Sequence, residues 1–259
     1  MPTPRDPEPD LFAPPRADRK AEAPLAERMR PREFADFVGQ DEIAGQDRPL
    51  RKAIESDRLS SVIFWGPPGS GKTTLAHLIA RHTKAHFVAF SAVTGGIPEL
   101  REIIKAAEHR LALQQQKTVL FVDEIHRFNK AQQDAFLPHV ERGTVILVGA
   151  TTENPSFEVI SPLMSRSILV VLNSLSDEAL GRILDRALAD SEIGLGQLKA
   201  RLSPGARQRL VAFGNGDARV TFDDLMSIFD KAIIRVENTE LKESFQDLML
   251  RALSKVSAR

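Results

Sequence analysis

The chain has 259 residues, 42% of them apolar, enough for one large domain or two modest ones around a real core. Lys plus Arg and Asp plus Glu number 35 each, so the net charge is zero; bulk charge makes no case for nucleic-acid binding and leaves only a local basic patch open. There is no Cys for disulfides or thiolate metal sites, no apolar run near the roughly 18 residues of a membrane helix, and no apolar signal core in MPTPRDPEPD, so a soluble cytoplasmic protein without a membrane partner is expected.

Residues 1–24 carry seven of the 16 prolines, with charges between them. Such a stretch supports neither helix nor strand ladder and reads as a disordered tail. Asp10-Leu11-Phe12 interrupts it. A short acidic-apolar motif can dock on a partner, but an incidental apolar pair is the simpler reading.

From residue 61 short apolar runs alternate with amphipathic stretches. Ser61 to Trp65, His86 to Phe90, Thr118 to Val122, Val145 to Gly149 and Ile168 to Leu172 read as strands. Between them, Leu75, Leu78 and Ile79, then Leu100, Ile103, Ile104, Ala107 and Leu111, follow helical spacing, and Asn129 to Val140 reads as a helix. The alternation predicts an α/β fold: a parallel sheet covered by helices on both faces. After Leu172 the strands stop. Ser176, Ser203 with Pro204, Asp217 and Thr239 each stand where a helix cap would, ahead of apolar residues at helical spacing. The expected division is a core over 25–173 and a small all-helical lid over 174–259.

Residues 66–73 read GPPGSGKT, the phosphate-binding pattern G-x-x-x-x-G-K-[ST], between an expected strand and an expected helix. Glycines there let backbone N–H groups approach phosphates, and the helix N-terminus adds positive potential. Gly66, Pro67, Pro68, Gly69, Ser70, Gly71, Lys72, Thr73 and Thr74 are the candidate ATP-binding set. Lys72 can reach the β- and γ-phosphates, and Thr73 can ligate Mg²⁺. The third strand ends VLFVDE. An acidic pair at the end of a buried parallel strand belongs in the ligand crevice. Asp123 would hold the metal and Glu124 would orient the attacking water. Thr151 and Thr152 end the fourth strand, although Thr-Thr before Asn-Pro is by itself more often a turn. Arg166 precedes the fifth strand. Arg219 falls in the first turn of its helix, where a cation meets the unfavourable end of the dipole unless a phosphate lies nearby. Asp123 to His126 also spells a DExH box, but such helicases need a second motor domain that this length cannot hold. The six histidines show no metal spacing, and no structural metal is expected.

Taken in order, the phosphate loop, the DE strand end, the polar end of the next strand, SR before the fifth strand and GDAR in a helical lid resemble an AAA+ ATPase. PLAERMRPREFADFVGQ (24–40), FVDEIHRFNKAQQDAFLPHVERGT (121–144) and LVGATTENPSFEVISPLMSR (147–166) resemble the RarA/MgsA family of replication-associated recombination ATPases, relatives of clamp loaders and of the Holliday-junction branch-migration motor. The resemblance runs over roughly residues 24–220. It implies ATP hydrolysis coupled to DNA, single-stranded or forked, at stalled or damaged forks, by an oligomer, with replication proteins as the partners that the N-terminal tail (1–24) could dock. Carried over by position, Thr152 is the first sensor, Arg166 the finger acting on a neighbour's ATP, and Arg219 the second sensor; Met29 to Gln40 flank the adenine. Two departures stand out. Val220 to Asp224 (VTFDD) differ from the family's small residue and Leu-Asn, and the sequence stops at Arg259 without the C-terminal domain that builds the family's tetramer, so self-association is expected to be weakened. The alternatives are a clamp-loader-like subunit, which HRFNKAQQDAF opposes, and an ATP-binding protein with little hydrolysis, which intact Lys72, Asp123 and Glu124 oppose.

Overall fold

The computed structural model describes residues 23–92, 95–198 and 201–237; over 228–237 the helix path alone is described. The proline-rich segment 1–22 and the helix expected after Thr239 lie outside the described residues. The five strands are β1 (Val62–Trp65), β2 (His86–Ser91), β3 (Thr118–Asp123), β4 (Val145–Thr151) and β5 (Ile168–Val171). They form one parallel sheet in the order β2-β3-β4-β1-β5. The three strands that end in candidate residues, β3, β4 and β1, are therefore neighbours, and their C-terminal ends open into one crevice.

Three helices lie along the sheet: α1 (Lys72–His82), α2 (Ile97–Gln114) and α3 (Lys130–Glu141). Period-two alternation sends Val62, Phe64, Phe121 and Val148 to one face, against Leu75, Leu78 and Ile79 of α1 and the upstream Phe34, Phe37 and Ile54. Ile63, Leu120, Val122 and Leu147 point the other way, onto Leu100 and Ile104 of α2 and Phe136 and Val140 of α3. Each fully buried side chain of this kind contributes about 1.5–3 kcal/mol. Helix α3 starts at Lys130 because Asn129 and Gln132 close a capping box, each side chain bonding the other's backbone N–H.

β5 departs from a sheet covered on both faces. Among the described residues it pairs with β1 alone, at the sheet edge, and Ile168, Leu169 and Val171 are 58%, 39% and 47% exposed. The chain leaves β5 into the helical part instead of returning a helix across it. That part contains α4 (Asp177–Ala189), α5 (Pro204–Gly214) and α6 (Ala218–Glu237). Ser176 caps α4 by accepting from Ala179 N, Ser203 caps α5 by accepting from Ala206 N, and Asp217 Oδ1 accepts from Arg219 N at the start of α6. Leu180, Leu184, Leu210 and Phe222 form its core, joined by Leu25 and Met29 from ahead of β1. Among the described residues no helix is long and apolar enough to cross a membrane.

Candidate functional site

The loop after β1 needs its glycines. Gly69 has φ +66°, and a Cβ there would lie 1.9 Å from Asp217 Oδ1. Gly71 has φ +101°, and its Cβ would lie 2.9 Å from a Phe37 ring atom. Both conformations suit glycine, and both spaces are taken. Lys72 opens α1, is buried, and donates to Gly66 O at 2.7 Å and Pro67 O at 2.8 Å. Burial pulls its ammonium below the usual lysine range, while the Glu124 and Asp123 carboxylates push it back up. Gln40 Nε2 donates to Ser70 O and Asn173 O, tying the segment ahead of β1 to the loop and to the exit from β5.

Thr73 Oγ1 donates to Asp123 Oδ2 at 3.3 Å, so a hydroxyl and a carboxylate converge from α1 and β3. Glu124 follows Asp123 in the left-handed region, φ +54°, ahead of the short 3-10 turn Ile125–Arg127. A non-glycine residue held there costs about 1–2 kcal/mol. Thr151 is fully buried, its hydroxyl engaged by Glu153 and His126, whereas Thr152 faces the crevice.

The helical part covers this end of the sheet. Between them lies a cavity of about 440 Å³. Pro68, Gly69, Ser70, Gly71, Lys72, Thr73, Thr74, Asp123, Glu124 and Thr152 line its floor. Met29, Arg30, Pro31, Phe37 and Val38 line one wall, and Arg182, Ile183, Arg219 and Phe222 come from α4 and α6. Gly66 and Pro67 sit behind Lys72 as its carbonyl acceptors. Arg166 is not among the lining residues: it is ion-paired with Glu141 at 2.8 Å and bonded to Pro162 O. Arg219 is 3.4 Å from the carboxylate of Asp217, the residue that caps the start of α6.

The residues present fit a nucleoside triphosphate with Mg²⁺. Gly69, Ser70 and Gly71 line the cavity, Ser70 Oγ is buried with no hydrogen-bond partner among the described residues, and Lys72 and Arg219 bring cations to it from the core and from the helical part. Mg²⁺ takes few protein oxygens beside phosphate, which Thr73 and Asp123 can supply. The volume lies within the usual range for small-molecule sites.

Arg30, Arg182 and His126 escaped the sequence reading as individual residues. A lone Arg on a helix or loop resembles any surface cation until the lid is folded over it. Arg30 Nη1 contacts His77 Nε2 at 2.5 Å, and because Arg only donates, that nitrogen accepts. Burial first, then Arg30 and Arg81, holds His77 down to about 4, against 6.5 in the unfolded chain. Between those values the unfolded state binds the extra proton, so stability is full above about pH 6.5 and falls toward pH 4. At pH 5 the loss from this group is about 2 kcal/mol. Urea unfolding at pH 7 and pH 5 checks it: His77→Gln should lose less than the wild type, and equal losses would refute the assignment.

The family model for the Holliday junction DNA helicase RuvB P-loop domain matches residues 29–161. The replication-associated recombination protein A of Haemophilus influenzae is 48% identical over 85% of this chain and 50% of its own length. That of Escherichia coli K12 is 48% identical over 81% of this chain and 46% of its own. The Holliday junction branch migration motor RuvB of Thermotoga maritima superposes with a TM-score of 0.68 at 26% identity, over 88% of this chain and 72% of the other. The chain spans about half the length of the curated relatives it matches. It belongs to the replication-associated recombination protein A family of AAA+ P-loop ATPases, with a RuvB-type P-loop domain.

Proposed function

We propose that this chain is an ATP-hydrolysing motor module that acts on DNA at stalled or damaged replication forks and works as an oligomer. The observation that carries the reading is the convergence of Lys72 and Thr73, after β1, with Asp123 and Glu124, at the end of β3 on the other side of β4, under a helical cover that adds Arg219. Lys72 and the loop amides bind the phosphates, and Asp123 and Thr73 hold Mg²⁺. Bound there, Mg²⁺ would offset negative charge on the phosphates. Glu124 orients a water toward the γ-phosphate, Thr152 lies beside that position, and Arg219 answers the charge from the lid. Met29, Phe37 and Val38 supply an apolar wall for the base.

Arg166 serves a neighbouring copy. Its position outside its own cavity, held out by Glu141, supports that role. The DNA part is supported by the names of the relatives, a replication-associated recombination protein and a Holliday junction motor. Steady-state ATP turnover tests both parts, measured over a range of chain concentrations without DNA, with single-stranded DNA and with a forked duplex. Turnover should rise on DNA, and a flat response would remove that half of the reading. Arg166→Ala should cut turnover by roughly 10³-fold or more while leaving nucleotide affinity intact. Unchanged turnover at high chain concentration would place the finger elsewhere.

A further inference from the structure

His126 stands two residues after Glu124 and is nearly buried, its side chain 15% exposed. Its place is set by the turn that starts at Glu124. Ile125, fully buried, packs against Gly149 of β4, where a Cβ would lie 3.1 Å from Ile125 Cδ1. That contact seats the turn on β4 and brings His126 back alongside both Glu124 and the end of β4. His126 Nδ1 lies 3.0 Å from Thr151 Oγ1 and 3.2 Å from Glu124 Oε2. The same Glu124 oxygen is buried and has no aligned hydrogen-bond partner among the described residues. It is within reach of Nδ1 but not yet in line with it.

The network assigns the proton on Nδ1. Thr151 Oγ1 accepts from Glu153 N at 3.0 Å and donates to Glu153 O at 3.2 Å. One acceptor site is then left on that hydroxyl, and an Nδ1–H fills it. The opposite tautomer would aim a bare nitrogen lone pair at a carboxylate oxygen.

We propose that His126 is a positioning residue for Glu124. One Nδ1–H is shared between the end of β4 and the Glu124 carboxylate, so the orientation of that carboxylate depends on the strand end that also carries Thr152. Thr151 is buried behind the crevice and Thr152 lines it. A displacement of Thr152 therefore pulls on Thr151, on the imidazole, and through it on Glu124. The proposal rests on the reading of Glu124 as the residue that orients water, and it adds the part that aims it.

Two measurements test it. In nucleotide-free protein with nitrogen-15-labelled histidine, the His126 signal, identified by its loss in His126→Asn, should report the Nδ1–H tautomer at alkaline pH. Free imidazole prefers the other tautomer, so an Nε2–H signal overturns the proposal without any appeal to activity. In ATP turnover, His126→Asn keeps a donor near the Nδ1 position and should stay within about threefold of wild type. His126→Leu removes the donor and His126→Gln moves it outward, and both should lower kcat by roughly 10–100-fold with nucleotide affinity unchanged. Equal losses in all three variants, with lowered unfolding midpoints, would make His126 a packing residue only. Glu124→Gln is run beside them. If it retains full turnover, the reading of Glu124 itself fails; if it is inactive while His126→Leu is fully active, only the positioning role fails. Adding His126→Leu to Glu124→Gln should cost nothing further.

Discussion

Glu124→Gln should leave ATP binding intact and lower ATP turnover by roughly 10²–10⁴-fold, the usual loss when a positioned base is removed. The amide matches the carboxylate in size, keeps one acceptor oxygen, and tolerates the same left-handed backbone at φ +54° no worse than Glu does. What it loses is the negative charge that polarises a water and the capacity to accept a proton. The P-loop, Thr73 and Asp123 are untouched, so calorimetry should give an unchanged ATP affinity while phosphate release collapses. Equal turnover in the two proteins, with and without DNA, would end the enzyme reading and leave a binding module. The backbone at this residue supports the choice. A chain that holds a glutamate where glycine would be about 1–2 kcal/mol easier has a use for that side chain at that spot.

The parts of the site on one continuous segment were legible in the sequence. GPPGSGKT is followed by helix because Gly71 ends the loop and Lys72 begins α1, and VLFVDE ends a strand whose neighbours bury it on both faces. Caps at Ser176, Ser203 and Asp217 could be read because a single side chain satisfies an amide two or three residues on. Alternation of period two gives the two faces of a strand but not its neighbours. It leaves open that β5 lies at the edge beside β1, with Ile168 and Val171 exposed. Nor does any local pattern bring α4 over the loop, so Arg182 and Ile183 read as ordinary helix positions until the lid closes on the core. Thr151 and Thr152 make the point most narrowly. They are identical in type and adjacent in sequence, yet the first ends β4 and is buried against His126 while the second, just past the strand, faces the cavity.

Lys72→Ala should weaken ATP binding by roughly 10–100-fold, the equivalent of one strong hydrogen bond to a charged group. The ammonium is the buried cation nearest the loop backbone, bonded at 2.7 and 2.8 Å to the carbonyls of Gly66 and Pro67. Removing it leaves those carbonyls without that donor and leaves Asp123 and Glu124 less balanced, with Arg219 still across the cavity. Two effects then overlap, a cost to the folded protein itself and a loss of ligand affinity, and thermal unfolding with and without ATP separates them. At a nucleotide concentration of 100 Kd, binding stabilises the wild type by about 2.7 kcal/mol; a 100-fold weaker variant at the same concentration keeps about 0.4 kcal/mol. The ATP-induced rise in Tm should therefore nearly vanish in Lys72→Ala, whatever its Tm without nucleotide. Lys72→Arg restores the charge but replaces a compact ammonium with a larger planar fork, so it should recover only part of that rise. A full ATP-induced rise in the alanine variant would move the phosphate site away from this loop.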